Sequence, residues 1–185
     1  MYLKITQNQT LYPYNVDQLR NEHPHVSFPT DYRTNYALLA AFGIYAVADT
    51  PKPEVDHFTY QLREAEPIEV GGQYVQQWQV IELTEQEQQE KIHAAQRELE
   101  ALVQEQLNAF AMQKGYNGIE SAVSYVYSGV SRFAKEAKHA VSVRDAMWSG
   151  LYEIFDQVNQ GQRIMPKSLA EIESELPTLT WDAAE

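Results

Sequence analysis

Cysteine is absent from all 185 residues of the chain. This absence excludes disulfides, thiolate metal sites and cysteine nucleophiles. Positive charge is scarce as well, since 14 Lys and Arg stand against 26 Asp and Glu and give a formal net charge of -12. The nearest approach to a basic cluster, Arg132, Lys135 and Lys138, is interrupted by Glu136. Because phosphate contacts need clustered Lys and Arg, we expect no nucleic-acid partner.

Long apolar runs are also missing. No stretch approaches the roughly 18 consecutive apolar residues of a membrane-spanning helix. The first residues, MYLKITQNQT, contain no apolar segment typical of a signal peptide. We therefore expect a soluble protein without a membrane partner, made in a cytoplasm. Because 44% of its residues are hydrophobic and 11% aromatic, the chain can build a core and is not expected to be disordered.

The sequence patterns that carry enzyme chemistry do not occur in this chain. His23 and His25 flank a proline, but their spacing matches no zinc motif. His93 and His139 fall in predicted helices without a carboxylate partner at the spacing of zinc sites. The sequence has no Gly-x-Ser-x-Gly elbow and no glycine-rich phosphate loop, and its glutamate pairs are typical of solvated helix faces. We predict no enzymatic activity, no catalytic residue, no metal site and no cofactor.

The composition changes near residue 83. Six prolines precede this point, whereas only Pro166 and Pro177 follow it. Short β-type runs followed by a proline-free helical stretch are typical of an α+β chain with segregated elements. We predict an N-terminal α+β domain over residues 1–83, and a long helix with a C-terminal antiparallel helical bundle over residues 84–185.

The N-terminal domain is predicted to contain an antiparallel sheet with a β-hairpin. Residues 2–6 alternate and predict an edge strand. The runs 57–63 and 66–70 lead to Gly71-Gly72, and the run 73–83 follows. Strand-like runs that meet at Gly-Gly indicate a hairpin, because glycine adopts the positive φ that such turns need.

The second domain opens with Thr84-Glu85-Gln86-Glu87, the pattern of a capping box. It predicts the start of a long helix that ends near Gly115. Further helices are predicted over 119–127 and 131–159, with a last short helix over 168–176. Helices joined by short loops are typical of an antiparallel bundle.

Within the helix over 131–159, Trp148, Leu151 and Phe155 lie on one predicted stripe and should be core residues. Trp181 is expected to fold back over this stripe after the turn at Pro177. Arg144 and Asp145 are adjacent on the same helix and are expected not to pair with each other.

The long helix carries a candidate surface for self-association. Ile92, Leu99 and Leu102, with Ala95, follow a heptad pattern for two repeats, which is too short to establish a coiled coil. They would be buried either between copies of the chain or within a monomeric bundle. We predict that this helix takes part in self-association.

Twelve tyrosines are a high count for this length. Tyrosine joins a large apolar ring to a polar tip and is favoured at protein interfaces. Two interpretations remain open, because the same side chains would equally fill the cores of two small domains. Several of them cluster in the sequence: Tyr12, Tyr14, Tyr32, Tyr36, Tyr45, Tyr116, Tyr125 and Tyr127.

The C-terminal part carries a pattern of motifs. Arg144-Asp-Ala-Met-Trp148 is followed by Gly161-Gln-Arg-Ile-Met-Pro166 and then by Leu176-Pro177 and Trp181. This pattern resembles a helical module at the C-terminus of small bacteriophage tail or tail-fibre-associated proteins, and residues 1–83 resemble their N-terminal part more weakly. The resemblance transfers no catalytic residue.

The resemblance implies a structural protein of a phage tail, in the baseplate or beside the tail fibre, located in the virion. Its partners would be other tail or fibre proteins and copies of itself, as a trimer or in a hexamer-related arrangement. One alternative is a tail-fibre assembly chaperone that is not retained in the virion. Another is a module that binds a host protein or a small molecule.

Overall fold

The computed structural model describes residues 1–181. The chain divides into two compact units, Met1–Leu83 (unit 1) and Thr84–Glu185 (unit 2). The architecture is α+β, and this prediction is confirmed: unit 1 holds a curled, mainly antiparallel sheet, and unit 2 holds long helices. Within residues 1–181, no helix is both long and apolar enough to cross a membrane.

Unit 1 is a five-stranded sheet with two short helices. The strands lie in the order β2-β1-β3-β5-β4, and all neighbours are antiparallel except β3 and β5, which are parallel. The elements are β1 (Tyr2–Ile5), β2 (Thr10–Leu11), α1 (Gln18–Glu22), α2 (Tyr36–Ala41), β3 (Ile44–Ala48), β4 (Tyr60–Val70) and β5 (Gln73–Glu82).

The first strand is not an edge strand, so that prediction is wrong. β1 pairs with β3 on one side and with the two-residue strand β2 on the other. β2 comes from a polar segment next to Pro13, where no alternation of apolar and polar residues marks a strand. Its pairing is a tertiary contact that the local pattern does not predict.

The hairpin between β4 and β5 is confirmed. Its turn residues Gly71 and Gly72 have φ angles of 61° and 83°. The two runs expected before the turn form one continuous strand, with a register shift between Ala65 and Ile68. Pro67 lies at this shift and has no N–H to donate, and β4 tolerates the loss because it is the edge strand of the sheet.

The core of unit 1 joins β3 to the two helices. Asn35 caps α2, because its side chain accepts a hydrogen bond from Leu38 N at 3.1 Å. Gly43 then turns the chain into β3 with a φ of 70°, and a Cβ there would lie 2.3 Å from the carbonyl oxygen of Ile5. The buried side chains of this core are Tyr14, Val16, Leu19, Tyr32, Leu39 and Ile44.

Within residues 84–181, unit 2 contains three α-helices and a C-terminal segment. They are α3 (Glu85–Met112), α4 (Ile119–Val123), which continues as a 3-10 turn (Ser124–Tyr127), and α5 (Ser131–Asn159). The capping box at the start of α3 is confirmed, since the side chains of Thr84 and Glu87 each accept a bond from the other's backbone amide. Asn108 of α3 receives the first amide of α4, because Ile119 N donates to Asn108 Oδ1 at 3.0 Å.

Helices α3 and α5 run in opposite directions. The Phe110 ring lies 6.1 Å from the His139 ring, whereas Glu100 lies beside Tyr152. Moving back along α3 therefore corresponds to moving forward along α5. Most of the buried residues of the two helices lie three or four positions apart, or one heptad apart at Ala140 and Met147, and they form apolar stripes. They are Leu99, Val103, Leu107, Phe110 and Ala111 in α3, and Ala137, Ala140, Met147, Leu151, Ile154, Phe155 and Val158 in α5.

The C-terminal segment is fastened by a charged pair. Arg163 donates two hydrogen bonds to Glu175, at 2.8 and 3.1 Å, and these bonds hold the pKa of Glu175 below its usual range. The helix predicted over 168–176 is wrong in type, because the chain forms two 3-10 turns, Leu169–Glu171 and Glu173–Glu175. Ile172 lies between them and is fully buried.

The expected core stripe of α5 is correct for two of its three residues. Leu151 and Phe155 are 0% and 5% exposed, but Trp148 is only half-buried. The buried residue at this level is Met147. Trp148 lies about 100° further round the helix, where it stacks on the Tyr152 ring at 5.8 Å.

Trp181 folds back, but onto a different surface from the expected one. Its ring stacks on Phe110 at 4.2 Å, and its Nε1 donates to the carbonyl oxygen of Phe110 at 2.9 Å. The Trp148 stripe is therefore not its partner. Arg144 and Asp145 do pair, at 2.8 Å, because the long guanidinium side chain reaches back to its neighbour. This pair is exposed, and such pairs contribute little to stability.

Candidate functional site

The sequence predicts no metal site. Among residues 1–181, no group of three or more His, Asp or Glu side chains is arranged to hold a metal ion. Two of the histidines have contacts of other kinds, one with an aromatic ring and one through a hydrogen bond. The His23 ring lies 4.9 Å from the Phe42 ring, and His139 Nε2 lies 2.8 Å from the carbonyl oxygen of Thr180.

The three residues proposed for self-association have different environments. Leu99 is 3% exposed within its own chain, so little of its side chain is left for a contact with another copy. It lies on the same face of α3 as Val103 and Leu107, and this face is buried inside unit 2. Ile92 is half-buried, and Leu102 lies beside the buried stripe with 36% exposure.

A groove of about 460 Å³ opens in unit 1 beside the start of β5. We call it the tyrosine groove, because Tyr36 of α2, Tyr45 of β3 and Tyr74 of β5 line it. Tyr36 is 63% exposed and Tyr45 is 36% exposed, and the rings of Tyr45 and Tyr74 lie 5.2 Å apart. No residue of the lining carries a formal charge. Its other residues are Ala40, Ile44, Ala46, Gly72 and Gln73.

One wall of the tyrosine groove is main chain. Consecutive side chains of a strand point to opposite faces, yet Ile44, Tyr45 and Ala46 all line the groove. The Ile44 side chain belongs to the buried core of unit 1, so its backbone forms the wall. Here β3 has β1 on one side only, because its pairing with β5 begins at Val47.

The orientation of the backbone in β3 follows from two hydrogen bonds. Ile5 N donates to Gly43 O at 2.8 Å, and Val47 N donates to Met1 O at 2.9 Å. Peptide groups of alternate residues in a strand face opposite sides. The N–H and C=O groups of Ile44 and the N–H of Ala46 therefore face away from β1, towards the tyrosine groove. The C=O of Ala46 faces the same way but is taken by the first pair of the ladder to β5, Val47 with Tyr74.

A carboxylate stands at the rim of the groove. The Tyr74 hydroxyl lies 3.5 Å from Oε2 of the exposed residue Glu69. Burial raises the pKa of Tyr74 above its ordinary value, and the negative charge of Glu69 raises it further. The hydroxyl is consequently protonated at neutral pH and adds no negative charge beside Glu69.

Tyr36 is held in place from the segment before α2. The Tyr2 hydroxyl donates to the carbonyl oxygen of Arg33 at 2.8 Å. Asn35 then caps the helix that starts at Tyr36. Burial, followed by the neighbouring Tyr36, raises the pKa of Tyr2 above its ordinary value, so this donor keeps its proton at neutral pH.

The position of β5, which carries Tyr74, is fixed by a polar network. Gln76 is the one buried polar side chain recorded in the described residues, at 7% exposure. Its side chain accepts from Thr50 N at 3.0 Å and donates to Glu64 at 2.7 Å. Tyr12 also donates to Glu64, and these two donors hold the pKa of Glu64 below its usual range. Sequence patterns gave no indication of this network, because its members come from distant segments.

Unit 2 has an aromatic cleft of its own, of about 310 Å³. Lys114 and Arg132 line it together with Tyr116, Tyr125 and Phe133, and Tyr127 of the adjoining turn is 97% exposed. The Tyr116 hydroxyl donates to Glu136 at 2.6 Å. Burial, together with this bond, raises the pKa of Tyr116 to about 12.

The tyrosines fall into two groups, one that fills a core and one that remains exposed; a role of the exposed group at an interface stays a prediction. Tyr14 and Tyr32 are buried in the core of unit 1, whereas Tyr36 and Tyr127 are among the most exposed large side chains. The clustering of tyrosines was the available signal for the groove. It did not separate the two roles, because the sequence does not show which tyrosines share a strand face with the core.

Comparison with known proteins gives no relative. No protein-family model matches the chain, and no curated protein or solved structure is similar to it.

Proposed function

We propose that this protein is a structural component of a bacteriophage tail, in the baseplate or beside the tail fibre, and that it works by binding other proteins. The observation that carries the binding role is the tyrosine groove. Exposed tyrosines around an uncharged concave surface are typical of protein-binding sites. Because Tyr36 and Tyr45 remain exposed in the chain, a partner has aromatic surface to cover.

The assignment to a phage tail is supported by the C-terminal motifs. Gly161 adopts a φ of 69°, Arg163 binds Glu175, and Met165 and Leu176 are buried. Together these residues hold the C-terminal segment in unit 2. Proteins that share this way of holding the segment would share the motifs, which gives a physical reason for the resemblance. The function itself depends on the surface that the helical module presents.

Mass spectrometry of purified particles tests the proposal. The particles are those produced from the genome that encodes this chain. We expect the chain in stoichiometric amounts relative to other tail proteins. Its presence in infected cells but absence from particles would instead identify an assembly chaperone, and its absence from both would contradict any role in the tail.

Particles made with variants of the chain test whether the tyrosine groove is the surface that binds in the tail. Tyr36→Ala, at an exposed position, should lower the amount of the chain in particles, whereas Tyr127→Ala in unit 2 serves as the matched control. Equal incorporation of both variants would show that the tyrosine groove is not the surface that enters the assembly.

A further inference from the structure

The tyrosine groove combines two kinds of contact in one place. Its main-chain wall presents the N–H and C=O of Ile44 and the N–H of Ala46, and its aromatic wall presents Tyr36, Tyr45 and Tyr74. A strand edge supplies directional hydrogen bonds to an extended chain, and pockets beside it supply side-chain preference. The combination fits an extended segment better than a helix or a compact small molecule.

Charge indicates which extended segment is suitable. The lining is uncharged, and the carboxylate of Glu69 lies beside the Tyr74 hydroxyl at the rim. The whole chain carries a net charge of -12, which favours the approach of a basic partner. An acidic segment would meet Glu69 and the overall field with repulsion.

A second copy of this chain is a poor occupant. The exposed edge strand β4 is the long strand that another copy has to offer, and it contains Glu64, Glu66 and Glu69 against a single Arg63. Pro67 also interrupts its ladder at the register shift. Charged residues and proline are the features that prevent edge strands from pairing.

We propose that the tyrosine groove binds an extended, basic segment of a different protein, which adds as a short strand beside Ile44–Ala46. The segment places apolar side chains against Tyr36, Tyr45 and Tyr74, and a lysine or arginine beside Glu69. This inference rests on the proposed protein-binding function and names the class of partner for that same groove.

A display library of random peptides tests the proposal on the full-length chain. The library uses peptides of roughly eight residues, which are longer than the stretch Ile44–Ala46 of about 10 Å, since an extended chain rises about 3.3 Å per residue. We expect the enriched peptides to combine apolar residues with Lys or Arg. Their affinity should fall at least about tenfold in Tyr36→Ala and in Tyr45→Ala, as for the anchor residues of an interface, and should be unchanged in Tyr127→Ala.

Two further measurements separate strand addition from other modes. N-methylation of alternate peptide nitrogens should abolish binding in one register and leave it intact in the other, because every second N–H of an added strand faces its neighbour. Glu69→Gln should weaken basic peptides and leave neutral analogues unchanged. Folding of each variant is checked by circular dichroism, and Tyr36→Ala carries the result if Tyr45→Ala is unfolded.

Several outcomes would overturn the proposal. These are the absence of any enriched peptide, enrichment of acidic peptides, equal binding by the tyrosine variants, and insensitivity to N-methylation in both registers. Particle composition is measured independently. If particles contain the chain while peptides fail these tests, the inference on the partner is wrong and the proposed tail function stands.

Discussion

The two units of the chain achieve stability by different means. Unit 2 uses two long helices whose buried residues recur mostly at spacings of three or four, from Leu99 to Phe110 and from Ala137 to Val158. Unit 1 uses short elements, and its sheet depends on pairings between distant segments, such as Val47 with Tyr74. Its buried polar residue Gln76 is satisfied by residues 26 and 12 positions away. Apolar periodicity therefore organises unit 2, whereas main-chain pairing and a polar network organise unit 1.

This difference places the exposed aromatic surfaces as well. In unit 1 the tyrosine groove lies where β3 continues past the start of β5, so it is a consequence of unequal strand pairing. In unit 2 the aromatic cleft lies where α4 and the following turn connect the two long helices. Both surfaces therefore lie at interruptions of regular structure: an unpaired stretch of strand in unit 1 and the connection between two helices in unit 2.

The largest expected effect concerns the apolar stripe of unit 2. Phe155→Ala removes a side chain that is 5% exposed, and it should lower the free energy of unfolding by about 3–5 kcal/mol. Chemical denaturation followed by circular dichroism measures this loss. The control Tyr127→Ala, at a position 97% exposed, should change stability by less than about 0.5 kcal/mol. Equal effects of the two variants would show that periodic burial does not dominate unit 2.

The corresponding test in unit 1 addresses main-chain packing. Gly43 and Gly72 both have positive φ, 70° and 83°. A Cβ at Gly43 would lie 2.3 Å from Ile5 O, whereas a Cβ at Gly72 meets nothing within 4 Å. Gly72→Ala should cost about 1–2 kcal/mol, for backbone strain, and Gly43→Ala should cost clearly more. Melting temperatures of the two variants decide this, and a smaller effect at Gly43 would contradict the close packing of β1 on β3.

A third prediction separates sequence periodicity from actual burial. Trp148 is half-buried and stacks on Tyr152, so Trp148→Ala should cost about 1–2 kcal/mol, less than the emptying of a fully buried aromatic site. The loss is compared with that of Phe155→Ala under identical conditions. If Trp148→Ala is the more destabilising variant, the tryptophan is a core residue after all.

The smallest effect is a pH dependence in unit 2. The pKa of Tyr116 is about 12 in the folded chain, raised by burial and by the bond to Glu136, against about 10 in an unfolded chain. Because the folded value is the higher one, its contribution to stability is complete below pH ~10 and is lost as the pH rises towards ~12. The difference in melting temperature between the parent and Tyr116→Phe should therefore shrink over this interval.

Lysines and other tyrosines also titrate between these pH values, so the comparison needs a matched pair. Tyr127→Phe, at the exposed position, should differ from the parent by the same small amount throughout. A constant difference for Tyr116→Phe as well would show that its hydroxyl titrates normally.

Local signals were sufficient for much of the fold. The capping box at Thr84, the bounds of α5 and the hairpin at Gly71-Gly72 depend on residues within a few positions of one another, and each is present as expected. They express backbone preferences that act at short range. The α+β class follows from them, because the helical and β-type stretches are separate in the sequence.

The apolar pattern of the sequence was a poorer guide to the burial and contacts of individual side chains. Leu99 was expected between copies of the chain, Trp148 in the core, and Trp181 over the stripe of α5. In the structure Leu99 is buried in its own chain, Trp148 is half-buried, and Trp181 stacks on Phe110. Trp148 follows the buried Met147 by one residue, and this rotation of about 100° round the helix turns it out of the core. For Trp181 the acceptor is the carbonyl of Phe110, 71 residues earlier. A local sequence pattern does not predict rotations or long-range contacts of this kind.

The sequence by itself determined where α3 begins, where α5 begins and ends, where the hairpin turns, and that the chain has no cysteine chemistry. Only the tertiary structure decided that β3 pairs in parallel with β5 from Val47 onwards, and therefore that Ile44–Ala46 and three tyrosines form a groove. The physical reason is range. Caps and turns are fixed by the conformations of adjacent residues, whereas a strand edge stays open or becomes covered according to the register of segments that meet only after folding.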